Sequence, residues 1–193
     1  MVTQEEMASV FGSHWVEMMP PEVTERHFAN PEDRRLLTEV GVPRSLLGQL
    51  YFGNVRTDPP LTISQAVESG GPDMFAPEVR DDIVIATGMG GFACLSRAES
   101  RIYWYAGSSD RNFALVNTSL ERFLETAYQL RLKFKGLDLF FSADEGGSEE
   151  EIADELRRLV GEIRNIDPPS FGSPARFWQH VVLFALETLA SEE

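Results

Sequence analysis

Apolar residues recur every three to four positions near both ends of the chain and every second position in the middle, so helices are expected to flank a sheet. At the N-terminal end, Thr3 and Glu6 have capping-box spacing, and Met7, Val10 and Phe11 form a narrow apolar stripe. A helix is expected there from about Gln4 to Phe11. Trp15-Val16 followed by Pro20-Pro21 reads as an extended segment and a turn. Asn30 as N-cap, Pro31 as first helical residue and Asp33 in the first turn open a second helix. Its inward side is Leu36, Leu37 and Val40, and Gly41 with Pro43 closes it. Between Ser45 and Pro77, short apolar pieces sit among Gly and Pro, which predicts loops with one or two short strands.

The period-two region is the sheet. Ile83 to Ala86 is apolar throughout and reads as a strand with both faces covered. Phe92 to Ser96 and Arg101 to Tyr105 read as two more strands, joined by the polar loop Arg97 to Ser100, and Phe113 to Val116 as a fourth. The period then returns to 3.6. With Thr118 or Ser119 as cap, Leu120, Phe123, Leu124, Ala127, Leu130 and Phe134 mark one helical face, and Gly136 is expected to end that helix. Ser148 and Glu151 open another, with Ile152, Leu156, Leu159, Val160 and Ile163 inward. Ser173-Pro174 opens the last, with Phe177, Trp178, Val181, Val182, Ala185 and Leu189 inward; Asp167-Pro168-Pro169 is the linker between them. No repeats interrupt this order, and 193 residues suit a single domain over 1–193.

Gly88, Gly90 and Gly91 raise the question of a phosphate loop. Such a loop leads into a helix and places a Lys and a Ser or Thr at fixed positions. Here the glycines lead into a strand, and the next base, Arg97, lies beyond it. The dinucleotide fingerprint fails for the same reason. These glycines are therefore expected to serve the backbone, where the chain reverses or two strands approach closely.

Charge narrows the functions. Seventeen bases against 31 acids give a net charge of −14, which opposes binding to nucleic acid or to an anionic membrane and favours a basic partner. Residues 137–193 hold 13 acids and 4 bases, so the strongest negative field is expected there. The opening MVTQEEMASVFG has no basic stretch followed by an apolar one, no apolar run approaches the roughly 20 residues of a membrane span, and Cys94 stands alone. A protein of a reducing cytoplasm is expected.

Candidate chemistry is sparse. His14, His27 and His180 have no metal-ligand spacing, so no metal or other cofactor is expected; His180 is expected at the edge of the core with one hydrogen bond. Cys94 falls mid-strand among Phe92, Ala93 and Leu95, where a thiol behaves as a small hydrophobe. Asp81-Asp82 reads as the close of a turn, and the acids after Gly146-Gly147 as the first turn of a helix. Asn117-Thr118-Ser119 reads as a strand end and helix cap. A small-molecule enzyme would have to rely on Cys94 or on a carboxylate pair.

The surface is more informative. In Arg101-Ile102-Tyr103-Trp104-Tyr105, if Ile102 and Trp104 face the core, then Arg101, Tyr103 and Tyr105 share the opposite face, unless helices cover that face as well. Exposed Tyr and Arg on a rigid sheet are typical interface anchors. The partner-binding candidates are therefore Arg101, Tyr103 and Tyr105, with Asp81, Asp82, Glu99 and Asp110 supplying charge.

The order of elements carries a resemblance. An N-terminal acidic helix precedes an Arg-x-Leu-Leu-x-x-x-Gly-Val-Pro-like segment, here Pro31 to Pro43. A Gly-rich entry to a strand follows, then a hairpin whose second strand holds Ile-x-Trp (Ile102 and Trp104), then Val116-Asn117-Thr118-Ser119-Leu120 leading to Phe123-Leu124. Ile166-Asp167-Pro168 and Phe177-Trp178 come last. Together these resemble the SUKH superfamily of bacterial immunity proteins, in particular its fourth subfamily, from about Glu32 to Leu186. The resemblance implies an α+β fold, with a central, mostly antiparallel sheet flanked by N- and C-terminal helices. It also implies a non-enzymatic protein that binds and neutralises a polymorphic toxin, often a nuclease or nucleic-acid deaminase. The matched residues look structural and carry no binding role across. A general interaction module of the same fold, without a toxin, is the alternative.

Overall fold

A computed structural model describes residues 1–53, 57–67, 75, 77–106, 113–141, 149–172 and 177–191. Helix α1 (Gln4–Phe11) starts where Thr3 and Glu6 exchange hydrogen bonds: the Thr3 amide donates to Glu6 Oε2 (2.8 Å) and the Glu6 amide to Thr3 Oγ1 (3.3 Å). Strand β1 (Val16–Glu17) follows, and then α2 (Pro21–His27), where the double proline had suggested only a turn. Pro20 is the N-cap and Pro21 the first helical residue, a position whose amide has no partner in any helix, so the proline pair is a start signal. Helix α3 (Pro31–Arg35) is capped by Asn30, whose Oδ1 accepts from the Glu32 amide (2.9 Å), and continues as a π-helical turn over Leu36–Val40.

Two sheets follow. β1 pairs with β2 (Val42–Pro43). The larger sheet is an antiparallel meander of β3 (Ser45–Leu46), β4 (Leu50–Tyr51), β5 (Ile83–Gly88), β6 (Gly91–Leu95), β7 (Ile102–Ala106) and β8 (Phe113–Asn117), each strand hydrogen-bonded to the next in sequence. A short helix, α4 (Ile63–Ala66), lies in the stretch the pattern had left irregular. The C-terminal helices are α5 (Leu120–Phe141), α6 (Glu149–Arg164) and α7 (Phe177–Ser191). The protein is thus α+β, a mostly antiparallel sheet with helices before and after it, as the resemblance implied. No helix among the described residues is long and apolar enough to cross a membrane.

The glycine stretch answers as a turn. Met89 and Gly90, both at positive φ (42° and 74°), form the two-residue connection between β5 and β6 that the twist of a hairpin favours. A Cβ on Gly88 would run into the Gln49 carbonyl oxygen, and one on Gly91 would meet the Trp104 ring at 2.7 Å. The glycines let neighbouring backbones and one indole close in.

One face of the sheet carries Leu46, Leu50, Ala93, Leu95, Ile102 and Val116 into the main core. Against them pack Leu36 and Leu37, the α5 face from Leu120 to Phe134, Leu159 and Ile163 of α6, and Phe177, Trp178, Val181 and Val182 of α7. Aromatic rings run through this layer, with Phe52–Phe123, Phe123–Trp178 and Trp104–Phe177 centroids 5.9, 5.6 and 5.0 Å apart. The indole N–H of Trp178 donates to the Val116 carbonyl and to Asn117 Oδ1, both at 3.1 Å. Asp167, expected in a linker, is buried and accepts from Asn117 Nδ2 (3.0 Å), the Thr118 amide (2.7 Å) and Thr118 Oγ1 (2.9 Å). That leaves Ser119 to cap α5, its Oγ accepting from the Arg122 amide (3.2 Å). Asn117 and Ser119 are the expected strand end and cap.

Other expectations are corrected. Gly136 does not end α5, which runs on to Phe141; one glycine inside a helix costs only about 1 kcal/mol. His180 is exposed and not at a core edge. The starts read at Ser148 and Ser173-Pro174 lie outside the described residues.

Candidate protein-binding face of the sheet

The pairing register fixes what the second face presents. Val84, Cys94, Tyr103 and Leu115 stand opposite one another across four strands, and Tyr51, Thr87, Phe92 and Tyr105 form a parallel row. The alternation in Arg101 to Tyr105 is therefore as read: Ile102 points into the main core, and Tyr103 and Tyr105 point away from it.

This face is covered in part. The segment around α4 folds over it: the Val84 amide donates to the Leu61 carbonyl (2.9 Å) and the Ile63 amide to the Asp82 carbonyl (3.1 Å). Ile63, Val84, Cys94 and Tyr105 are buried together, with Leu61, Val67, Phe75, Val79, Phe92 and Tyr103 packed around them. Phe75 meets the Tyr105 ring edge-on at 6.0 Å. Two candidates are consequently removed from the surface. Tyr105 is 4% and Asp82 3% exposed, because the cover closes over them. Cys94 is buried too, and desolvation pushes its thiol pKa well up, away from a reactive thiolate.

Tyr105 and Asp82 form a polar joint inside the cover. The Tyr105 hydroxyl donates to Asp82 Oδ2 (3.1 Å), and Oδ1 accepts from the Arg97 amide (3.2 Å). Burial raises the Asp82 pKa, against the two hydrogen bonds that favour its charged form. Burial and then the Asp82 charge raise that of Tyr105. The joint ties the residue just before β5 to β7 and to the β6–β7 turn.

Glu99, Arg101 and Tyr103 stay accessible on that same hairpin. Its turn is closed by the Ser96 amide donating to the Arg101 carbonyl (2.8 Å) and the Ser100 amide to the Ser96 carbonyl (2.9 Å). Glu99 and Arg101 are half exposed, with Arg101 Nη1 3.4 Å from Glu99 Oε2. The part-exposed Tyr103 donates its hydroxyl to the same Glu99 oxygen (2.6 Å). Partial burial, followed by this bond to Glu99, raises the phenol pKa, so Tyr103 is a neutral donor at physiological pH. Glu99, Arg101 and Tyr103 thus form one preset cluster, and Asp81, next to Asp82 in the chain, is exposed. Asp110 lies outside the described residues.

Among the described residues, no three His, Cys, Asp or Glu side chains converge to hold a metal. The pattern also hid surface aromatics: Tyr51 is 53% exposed at the edge of this face and Trp15 55% exposed at the β1–β2 pair. Their position between Gly and Pro residues was the available signal, since such segments lie on the surface.

A family model described as SUKH-4 immunity protein matches residues 2–184, which takes in every element from α1 to most of α7. The chain belongs to the SUKH-4 immunity protein family. No curated protein and no solved structure matches it. In this SUKH-4 chain, Leu36 and Leu37, Ile102 and Trp104, Asn117-Thr118-Ser119, and Phe177 and Trp178, which carried the resemblance, build the core, the α5 cap and the Asp167 hydrogen-bond cluster described above. The accessible hairpin cluster is made of other residues.

Proposed function

We propose that this protein neutralises a cognate polymorphic toxin, a nuclease or nucleic-acid deaminase with a basic surface, by stoichiometric binding that covers the toxin's active site. The observation that carries the reading is family membership across residues 2–184. A net charge of −14 supports it, because a negative field speeds encounter with a basic protein and opposes nucleic acid for the same surface. The protein works in the cytoplasm as one domain over 1–193, without catalysis or cofactor, and binds neither nucleic acid nor membrane.

The contact surface we assign is the β6–β7 hairpin cluster of Glu99, Arg101 and Tyr103, with Asp81 adding charge. An Arg and a Tyr already held by a shared carboxylate lose little freedom on binding, which is the quality expected of an anchor. A complex of this kind buries on the order of 1,600 Å². The test is co-expression with the toxin encoded in the neighbouring reading frame. Growth is expected to be restored, and the purified pair is expected to form a 1:1 complex that no longer degrades or deaminates nucleic acid. Cells that die equally fast with and without the protein overturn the reading in favour of a general interaction module. Within a confirmed complex, Tyr103→Ala and Arg101→Ala should each weaken binding about tenfold or more at unchanged Tm.

A further inference from the structure

The second half-exposed aromatic, Trp15, is held in place more firmly than its exposure would require. The register Val16↔Pro43 places Trp15 beside Arg44, whose amide donates to the Trp15 carbonyl (2.7 Å). The Arg44 carbonyl in turn accepts from the Phe52 amide (2.9 Å), so the segment is tied to the edge of the large sheet. The Arg44 guanidinium lies over the indole, 5.7 Å from the ring centroid, and its Nε donates to the buried carboxylate of Glu17. Carboxylate, guanidinium and indole form a chain in which each group orients the next. Even so, 55% of Trp15 faces water, and Met18, three residues on, is 51% exposed.

We propose that Trp15, clamped by Arg44, is a docking anchor for a basic protein surface that presents a Lys or Arg side chain beside an apolar patch. This rests on the toxin-binding reading and assigns part of the contact to the N-terminal end of the chain. A large aromatic that is already immobilised gives up little entropy on binding, and Trp and Arg are the residue types that dominate interface energetics. Charge selects the partner. Residues 1–40 carry eight acids and three bases, and the whole chain is −14, so a second copy would be repelled while a cationic surface is drawn in. A cation meeting the indole gains the same ring attraction that Arg44 uses.

The test uses the full chain and a catalytically inactive form of the toxin from the neighbouring reading frame. Trp15→Ala should weaken the complex at least thirtyfold with little change in Tm, the size expected of an anchor at an interface centre. Arg44→Lys, which keeps a charge for Glu17 but loses the flat face over the ring, should weaken it several-fold. If Trp15→Ala disturbs folding, 5-fluorotryptophan labelling of the wild-type chain decides the matter: the Trp15 resonance should lose its solvent accessibility in the complex. Unchanged affinity of a folded Trp15→Ala variant, or a Trp15 resonance still open to solvent in the complex, overturns the anchor while leaving the immunity reading intact. A wild-type dimer that Trp15→Ala dissociates, without effect on toxin binding, overturns it in favour of a self-contact. Failure of the wild-type chain to bind the toxin overturns both.

Discussion

The two faces of the large sheet are made by the same alternating strands but are finished in different ways. One lies under three long helices and a run of stacked aromatics, and its polar groups are joined in the Trp178–Asn117–Asp167–Thr118 cluster. Among the described residues, the other lies under the short helix α4 and the turns around it, and holds a buried carboxylate, Asp82, that accepts from one phenol and one amide. A thick cover buries Leu46, Leu50, Ala93, Ile102 and Val116 completely. A thin one buries Tyr105 and leaves Tyr103, on the same strand, at the edge of the water. The difference teaches that binding residues here are set by where the cover stops, since strand alternation alone treats Tyr103 and Tyr105 alike.

The contrast can be broken first on the helical side. Trp178→Ala removes a large buried ring and leaves the Val116 carbonyl and Asn117 without their indole donor, so a loss of about 3–5 kcal/mol is expected. Thermal unfolding should show a Tm lower by about 10 °C or more. A shift of only a few degrees would mean that this layer is not the main source of stability.

On the thin side, Ile63→Ala should act locally. Ile63 is fully buried, but its contacts are with the cover and a few strand residues. We expect a smaller Tm loss than for Trp178→Ala, together with hydrogen exchange at the Val84 amide, which donates to Leu61, faster by about tenfold. Equal Tm losses for the two variants, without faster exchange at Val84, would show that both covers belong to one cooperative unit and would remove the distinction.

The smallest effect concerns the hairpin turn. Asp33 of α3 is 4% exposed and is bonded to the Ser100 side chain; burial raises its pKa to about 6, with Glu32 adding a smaller push upward. A carboxyl that binds its proton more tightly when folded favours the fold in its protonated form. Stability from this group therefore grows as pH falls from about 6 towards 4 and is lost as pH rises through that window. Asp33→Asn, which can still accept from Ser100, should raise stability near pH 7.5 by about 1–2 kcal/mol after allowance for solvent screening, and the gain should shrink towards pH 4. A gain that stays constant across that range, measured by urea unfolding, would show that the charge of Asp33 is not its cause.

Much of this organisation was legible in the residues. Capping signals at Thr3 and Asn30 act locally, within one turn, and both operate as read. Four strands and the α5 face followed from periodicity, because one side of each must be apolar to be buried. Pro20-Pro21 misled because a proline pair can start a helix as readily as prevent one, and α4 is only four residues long, too short to show a period. Asp167 looked like linker because its partners lie 49 and 50 positions away.

The candidate surface divides along the same line. That Arg101, Tyr103 and Tyr105 share a face distinct from Ile102 was a matter of alternation alone, and the chain's negative charge was a matter of counting. Which of those residues meets water depended on Leu61, Ile63, Val67, Phe75 and Val79 packing onto the sheet, contacts between positions about 25 to 45 apart in the chain. The stacking of Arg44 on Trp15 arises in the same way, from two strands that pair only once the chain has turned through two helices. Local patterns fix what each residue can do; burial and orientation come from long-range packing, which a one-dimensional pattern does not contain.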